Sequence, residues 1–203
     1  MTVKIPQGLF ITYLVVFVLC AINPYDRAVW WAENIPVMLV VTALVMTRPR
    51  FQFSDASYIL MSFFLIMHTI GGHYTFERVP FDWVSQLFGF ERNHYDRLAH
   101  FSVGFYAYAI AELLLVKSLV RSRLILMLFP LFTIVTVAGV YEVFEWWYAI
   151  SADPAAGIAV LGSQGDIWDA QKDILADTLG AILVMILFQI KYQRQLIAIK
   201  LEQ

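Results

Sequence analysis

Residues 162–190 read GSQGDIWDAQKDILADTLGAILVMILFQI, in which Asp166, Asp169, Asp173 and Asp177 lead into a run with no further charge. Steps of three, four and four residues each approximate one helical turn, so all four carboxylates fall near one stripe of a helix. The helix dipole favours aspartates at an N-terminus, which accounts for Asp166 and Asp169. Asp173 and Asp177 lie one and two turns deeper, where an unpaired charge in lipid costs at least a few kcal/mol. The stretch therefore predicts a helix that enters a membrane with an acidic face, and partners for that face on other helices.

The composition agrees with a membrane setting. Of the 203 residues, 60% are hydrophobic and 15% charged, and the mean hydropathy is +0.68. Windows of about 20 apolar residues, the length that crosses a hydrocarbon core, fall at 8–23, 29–47, 56–74, 97–117, 124–150 and 169–190. The expected fold is all-α: a polytopic bundle of about six transmembrane helices forming one domain over 1–203. The two halves show no internal repeat, which gives no support to an inverted-repeat transporter. The first window lacks a small-x-small cleavage site and reads as an uncleaved anchor. Cys20 is the only cysteine, which excludes an intrachain disulfide and a cysteine-clustered zinc site. A net charge of −2 and the absence of a basic patch argue against a nucleic-acid partner; the bilayer is the expected partner, and the oligomeric state stays open.

Orientation follows from the basic residues. Lys4, Arg48, Arg50, Lys117, Arg121, Arg123, Lys191, Arg194 and Lys200 gather at one set of span ends, nine of the 14 Lys and Arg. Arg27, Arg78, Arg92, Arg97 and Lys172 fall at the other, among acids that include Asp26, Glu33, Glu77, Asp82, Glu91, Asp153 and Asp166. Both termini are expected in the cytoplasm. The segment at about 75–95 is too short to span and reads as an outer lid or interfacial helix.

Residues able to do chemistry concentrate on the outer side. His68 and His73 end the third window in HTIGGHY, where paired glycines predict a break in the helix. His94 and His100 flank the start of the fourth, and Glu142 and Glu145 sit in the outer half of the fifth. Asp96 and His100 share a face at a spacing of four, as do Glu142 and Glu145 at three. Asp173 lies about 6 Å below Asp169 by helical rise, level with His100 and Glu142 if the helices adjoin. Candidate catalytic residues are therefore Asp96, His100, Glu142, Glu145, Asp169 and Asp173, with His100, Glu142, Asp169 and Asp173 as candidate metal ligands. His73, His94, Asp166, Trp146 and Trp168 are candidates for binding substrate; the two tryptophans belong to an outer set of six that reads either as an interfacial belt or in part as a cavity wall. Arg97 and Lys172 could instead neutralise aspartates and leave the cluster as glue between helices. Glu112, deeper in the fourth window, reads as a proton-path or a snorkelling residue.

No P-loop or His-Glu-x-x-His motif occurs, and the one Glu-x-x-His, Glu91 to His94, does not make the pair that a ferritin-like di-iron site needs. What remains is a histidine and carboxylate cluster in a low-dielectric pocket. It could hold a divalent metal or work without one as an acid/base pair. Three readings follow: an outward-facing enzyme or binding protein for a lipid-linked or small envelope substrate, an ion- or proton-coupled transporter, and a membrane scaffold.

The blocks FGFERNHYDRLAHFSVGF (88–105), YEVFEWW (141–147) and GSQGDIWDAQKDILADTLGA (162–181) resemble the signature blocks of the YjdF family of bacterial inner-membrane proteins. The resemblance runs over nearly the whole chain and implies a compact polytopic protein of the inner membrane. A looser likeness is to VanZ-like membrane proteins, through Asp96, His100 and Phe101, then Glu142 and Glu145, then Asp169, Asp173 and Gly180. Asp177 stands where that pattern commonly has Asn, and the Arg expected before the aspartates is absent.

Overall fold

The computed structural model describes residues 4–151 and 163–201. Its main helices are α1 (Ile5–Ala21), α2 (Arg27–Thr47), α3 (Asp55–Tyr74), a short α4 (Asp82–Phe88), α5 (Tyr95–Val103), α6 (Tyr106–Val116), α7 (Arg123–Ser151), α8 (Asp169–Lys191) and α9 (Gln193–Leu201), with a 3-10 turn at Ser163–Gly165 before α8. Four stretches are long and apolar enough to cross a membrane: α2, α5 with α6 (Tyr95–Val116), α7 and α8. α1 is a shorter apolar helix of 17 residues. α3 runs 20 residues and packs against α1, α2, α5 and α6.

Local chemistry places the helix starts. Asp26 caps α2 by accepting from Ala28 N at 2.7 Å and Val29 N at 2.9 Å. Ser54 caps α3, and its backbone N–H and hydroxyl both donate to the Glu112 carboxylate, at 2.8 and 2.9 Å. Ser57 Oγ donates to the same carboxylate. Glu112 thus serves as an anion at the N-terminus of α3, which favours negative charge.

Two features differ from what spacing alone suggests. α3 runs straight through Gly71 and Gly72 instead of breaking there. A methyl on Gly72 would lie 2.9 Å from Asn34 Nδ2 and 3.0 Å from Glu33 Cβ, so this glycine lets α2 come close. The fourth window is interrupted after Val103. Phe105 N bonds Ser102 O at 3.1 Å and Ala107 N bonds Gly104 O at 3.0 Å, the tighter i to i+3 pattern. The interruption falls where Gly104 meets Gly180 of α8: a methyl on Gly104 would strike the backbone of Asp177 and Ala181, and one on Gly180 the Phe101 carbonyl. Small residues let two backbones touch, a common device for joining helices in lipid.

This crossing divides the bundle. On one side α6, α7, α8 and α9 enclose an apolar cluster that includes Ala107, Ala111, Leu126, Ile134, Val184, Met185, Phe188 and Leu196. On the other lie the first turns of α5 and α8 and the last turns of α7, which carry the charges. The segment between α3 and α5 holds α4, with Trp83, Leu87 and Phe88 exposed. Asn93 fastens it: its Nδ2 donates to Glu77 O at 3.1 Å and Val79 O at 2.8 Å, and its backbone exchanges two bonds with the Gln164 side chain, at 2.8 and 2.9 Å.

Candidate functional site

The aspartate stripe meets two arginines. Asp166 accepts from Arg92 Nη1 at 2.8 Å and Lys172 Nζ at 2.6 Å, and Arg97 Nη2 stands 3.4 Å away. Asp169 accepts from Arg92 Nη2 at 3.3 Å and from Arg97, and Asp173 accepts from the other nitrogen of the same guanidinium. Arg97 therefore spans one turn of α8 with its two ends, a use of the planar fork that lysine could not reproduce. Asp166, ahead of α8, is pushed down to about 2, first by the Lys172 hydrogen bond and then by the Trp168 backbone N–H. His94, ahead of α5, is held below the ordinary imidazole range by burial and then by Arg92, Arg97 and Lys172.

One turn along α5 from Asp96, His100 occupies the middle of a second group. Its Nε2 lies 3.8 Å from Asp96 Oδ1 and 3.8 Å from Asp173 Oδ1. On the other edge of the ring, Nδ1 is 3.4 Å from both oxygens of Asp177. One ligand atom each from Asp96, His100 and Asp173 fall within 4.8 Å of one another, the donor set of a possible metal site. α7 brings Glu142 within electrostatic reach of His100, Asp173, Asp96 and Asp177, and Glu145 within reach of Glu142, Glu33, His100 and Asp96. Glu142 and Glu145 are each only 9% exposed, and Glu142 Oε1 has no hydrogen-bond partner.

A third group joins α2, α3 and α7. His68 Nε2 lies 3.1 Å from Glu33 Oε2, and the Tyr141 hydroxyl donates to the same oxygen at 2.8 Å. The Tyr141 ring sits between the two histidines, its centroid 6.3 Å from that of His68 and 6.5 Å from that of His100. A cavity of about 310 Å³ reaches these groups: its polar lining comprises His68, His100, Tyr106, Thr133, Tyr141 and Asp177, and the rest is apolar, including Val37, Phe64, Ile110 and Val137. A second, of about 370 Å³, shares Pro36, Val137 and Tyr141 with it and continues between α2 and α7 past Thr136, Val140 and Phe144.

The structure brings Asp96, His100, Asp173 and Asp177 together and sets Glu142 and Glu145 beside them. Asp169 and Asp166 sit at the rim, held by the arginines, so the triad able to hold a metal contains Asp96 where spacing suggested Asp169. His73 turns away: its Nδ1 lies 2.8 Å from the Cys20 carbonyl and its ring packs edge-on to Tyr74. The His94 ring packs against Phe90 with centroids 4.6 Å apart. Trp146 and Trp168 are 49% and 58% exposed and wall neither cavity, whereas Trp30 is buried. Arg92, Glu33 and Tyr141 were not singled out, and His68 was marked only as one of the outer histidines. For Glu33 a signal existed, a carboxylate followed by Asn34 inside an apolar window; for Arg92 and Tyr141 spacing offers none.

Helices of this length and apolar character, with an ionisable cluster enclosed in one half of the bundle, define a multi-pass membrane protein. The matches to known proteins make that specific. The chain belongs to the family described as "Predicted membrane protein (DUF2238)", whose model matches residues 5–194. It is 32% identical over 188 residues to "Inner membrane protein YjdF" of Escherichia coli (strain K12), an alignment covering 92% of this chain and 90% of that one. It is thus a protein of the bacterial inner membrane. No solved structure matches it.

Proposed function

We propose that the protein spans the inner membrane six times, with both termini in the cytoplasm, and binds and acts on an amphiphilic, lipid-linked molecule of the cell envelope at the His100 cluster. The observation that carries this reading is the cavity. Its walls are mostly apolar, and its ionisable groups are His68, His100, Tyr106, Tyr141 and Asp177, the combination expected for a ligand with a hydrocarbon part and a polar head. The neighbouring opening between α2 and α7 is flanked by Val137 and Val140, both exposed, the apolar rim expected of a mouth that opens to lipid. A lipid-linked substrate would enter sideways without leaving the hydrocarbon.

Two observations weigh against the other readings. A proton or ion path would need to continue inward, but Glu112 is engaged by Ser54 and Ser57, and beyond Asp177 α8 contributes Ala181, Val184, Met185 and Phe188 to a dry core. Mere glue between helices would leave its polar groups paired, whereas Glu142 Oε1 is buried with no hydrogen bond.

Lipid analysis of the protein extracted from its own membrane tests the proposal. We expect one amphiphile enriched over the bulk membrane, lost in Val137→Trp, which fills the mouth, and retained in Val143→Trp on another face of α7. Lipid contents identical to the bulk membrane in all three proteins would overturn it.

A further inference from the structure

Charge arithmetic around the cluster does not close. Arg92, Arg97 and Lys172 match Asp166, Asp169 and Asp173, three against three. His68 matches Glu33. Beyond that count remain Asp96, which shares Arg97 at 3.7 Å, and Asp177, Glu142 and Glu145, all at most 9% exposed, around the single imidazole of His100. Buried carboxyl groups stay charged only when paired or when they coordinate a cation, and otherwise hold a proton that an incoming cation can displace.

We propose that a divalent first-row transition-metal ion sits between Asp96, His100 and Asp173, with Glu142 as a further ligand; this deepens the reading of the cluster as a ligand site. Three independent features converge on it. The two contacts of Nε2, at 3.8 Å, are too long for hydrogen bonds. They suit two ligands of one ion, since metal bonds to imidazole nitrogen and carboxylate oxygen are about 2.0–2.2 Å each. Next, the far nitrogen of His100 faces the Asp177 carboxylate. A proton held there leaves Nε2 with its lone pair toward the gap, the carboxylate–histidine–metal relay in which an outer carboxylate fixes the ring. Finally, α7, which packs against α8, carries Glu142, whose buried Oε1 has no hydrogen-bond partner. One imidazole among carboxylates favours zinc, manganese or iron over the all-oxygen preferences of magnesium and calcium. Asp177 is then a positioning residue, and the ion would let the acidic pocket accept a head group that carries negative charge.

The test uses the intact chain in detergent, stripped with chelator and titrated separately with Zn2+, Mn2+ and Co2+, with bound metal measured by mass spectrometry. We expect one ion per chain for at least one of the three, and a Co2+ absorption spectrum of nitrogen and oxygen ligation. Asp96→Asn, Asp173→Asn and Glu142→Gln should each weaken binding by roughly tenfold or more, and Asp177→Asn by about tenfold through the ring it orients. Cys20→Ser should leave affinity unchanged. Absence of stoichiometric binding of all three ions to the unmodified chain would overturn the proposal, as would affinity that follows Cys20 and ignores the cluster. The amphiphile experiment reads separately: enrichment that depends on Val137 but occurs without metal removes the ion and keeps the pocket, while metal binding without enrichment removes the amphiphile and keeps the ion.

Discussion

Arg97 is the residue on which the acidic face of α8 depends. It contacts Asp169 and Asp173 directly and lies 3.7 Å from Asp96 Oδ2. Replacing it by methionine leaves Asp173 and Asp96 buried without that cation and Asp169 with Arg92 alone, a change that costs about 3–5 kcal/mol. Thermal unfolding in detergent should show a large drop for Arg97→Met and a much smaller one for Lys172→Met, whose side chain is 50% exposed. Equal drops would contradict the assignment. His94 gives a pH dependence of defined sign. Because folding lowers its proton affinity, the unfolded chain takes up the proton first, so its contribution is complete above the ordinary imidazole range near 6.5 and is lost as pH falls below it. Stability measured from pH 7 to 5 should fall less steeply for His94→Asn than for the unmodified protein. Asp166, pushed down to about 2, should keep its pairing across that whole interval.

The residue scale also shows where spacing carries information and where it does not. Asp169, Asp173 and Asp177 are buried on one face of α8, as steps of four require. Asp96 and His100 share a face for the same reason. Arg97 was ambiguous because neighbouring residues project about 100° apart, and nothing local says that both Asp96 and Arg97 turn inward. Glu33 read only as one of the outer acids because its partners, His68 and Tyr141, lie 35 and 108 positions away. The tryptophans were ambiguous for a different reason: a belt and a cavity wall need the same residue at the same depth.

At the scale of elements, the crossing of α5 and α6 with α8 sets the register of everything above it. Gly180→Ala drives a methyl into the Phe101 carbonyl and should destabilise by about 1–3 kcal/mol or more, with loss of His100 from its partners. Gly139→Ala on α7 meets nothing within 4 Å and should be neutral or stabilising by up to about 1 kcal/mol. Comparable losses from both would show that the crossing is not close. The helix lengths were legible from apolar windows to within a few residues, since length and hydropathy are local. The close approaches were not: a glycine pair looks the same whether it breaks a helix or admits a neighbour, and Gly71–Gly72 does the second. Glu112 is a like case. Its cap on α3 predicts that Glu112→Ala lowers thermal stability, by about 1–3 kcal/mol for the donors it strands, while leaving metal and amphiphile binding unchanged. A loss of binding with stability intact would return Glu112 to a conduction path.

Across the whole molecule, the division into a dry half and a charged half agrees with the distribution of basic residues. Reporter fusions at Gly89 and Gln203 test the orientation: activity of an exported-side reporter is expected at Gly89 and not at Gln203, and the reverse would invert the bundle. The central claim is that the α8 stripe closes on His100. Mercury cross-linking measures this most directly in a Cys20→Ser background with a protease site placed between α7 and α8. His100→Cys paired with Asp173→Cys should be bridged by Hg2+, so that the cleaved chain still migrates as one piece. His100→Cys paired with Leu175→Cys, a position 56% exposed on α8, should fall apart. Bridging at 175 and not at 173 would contradict the account.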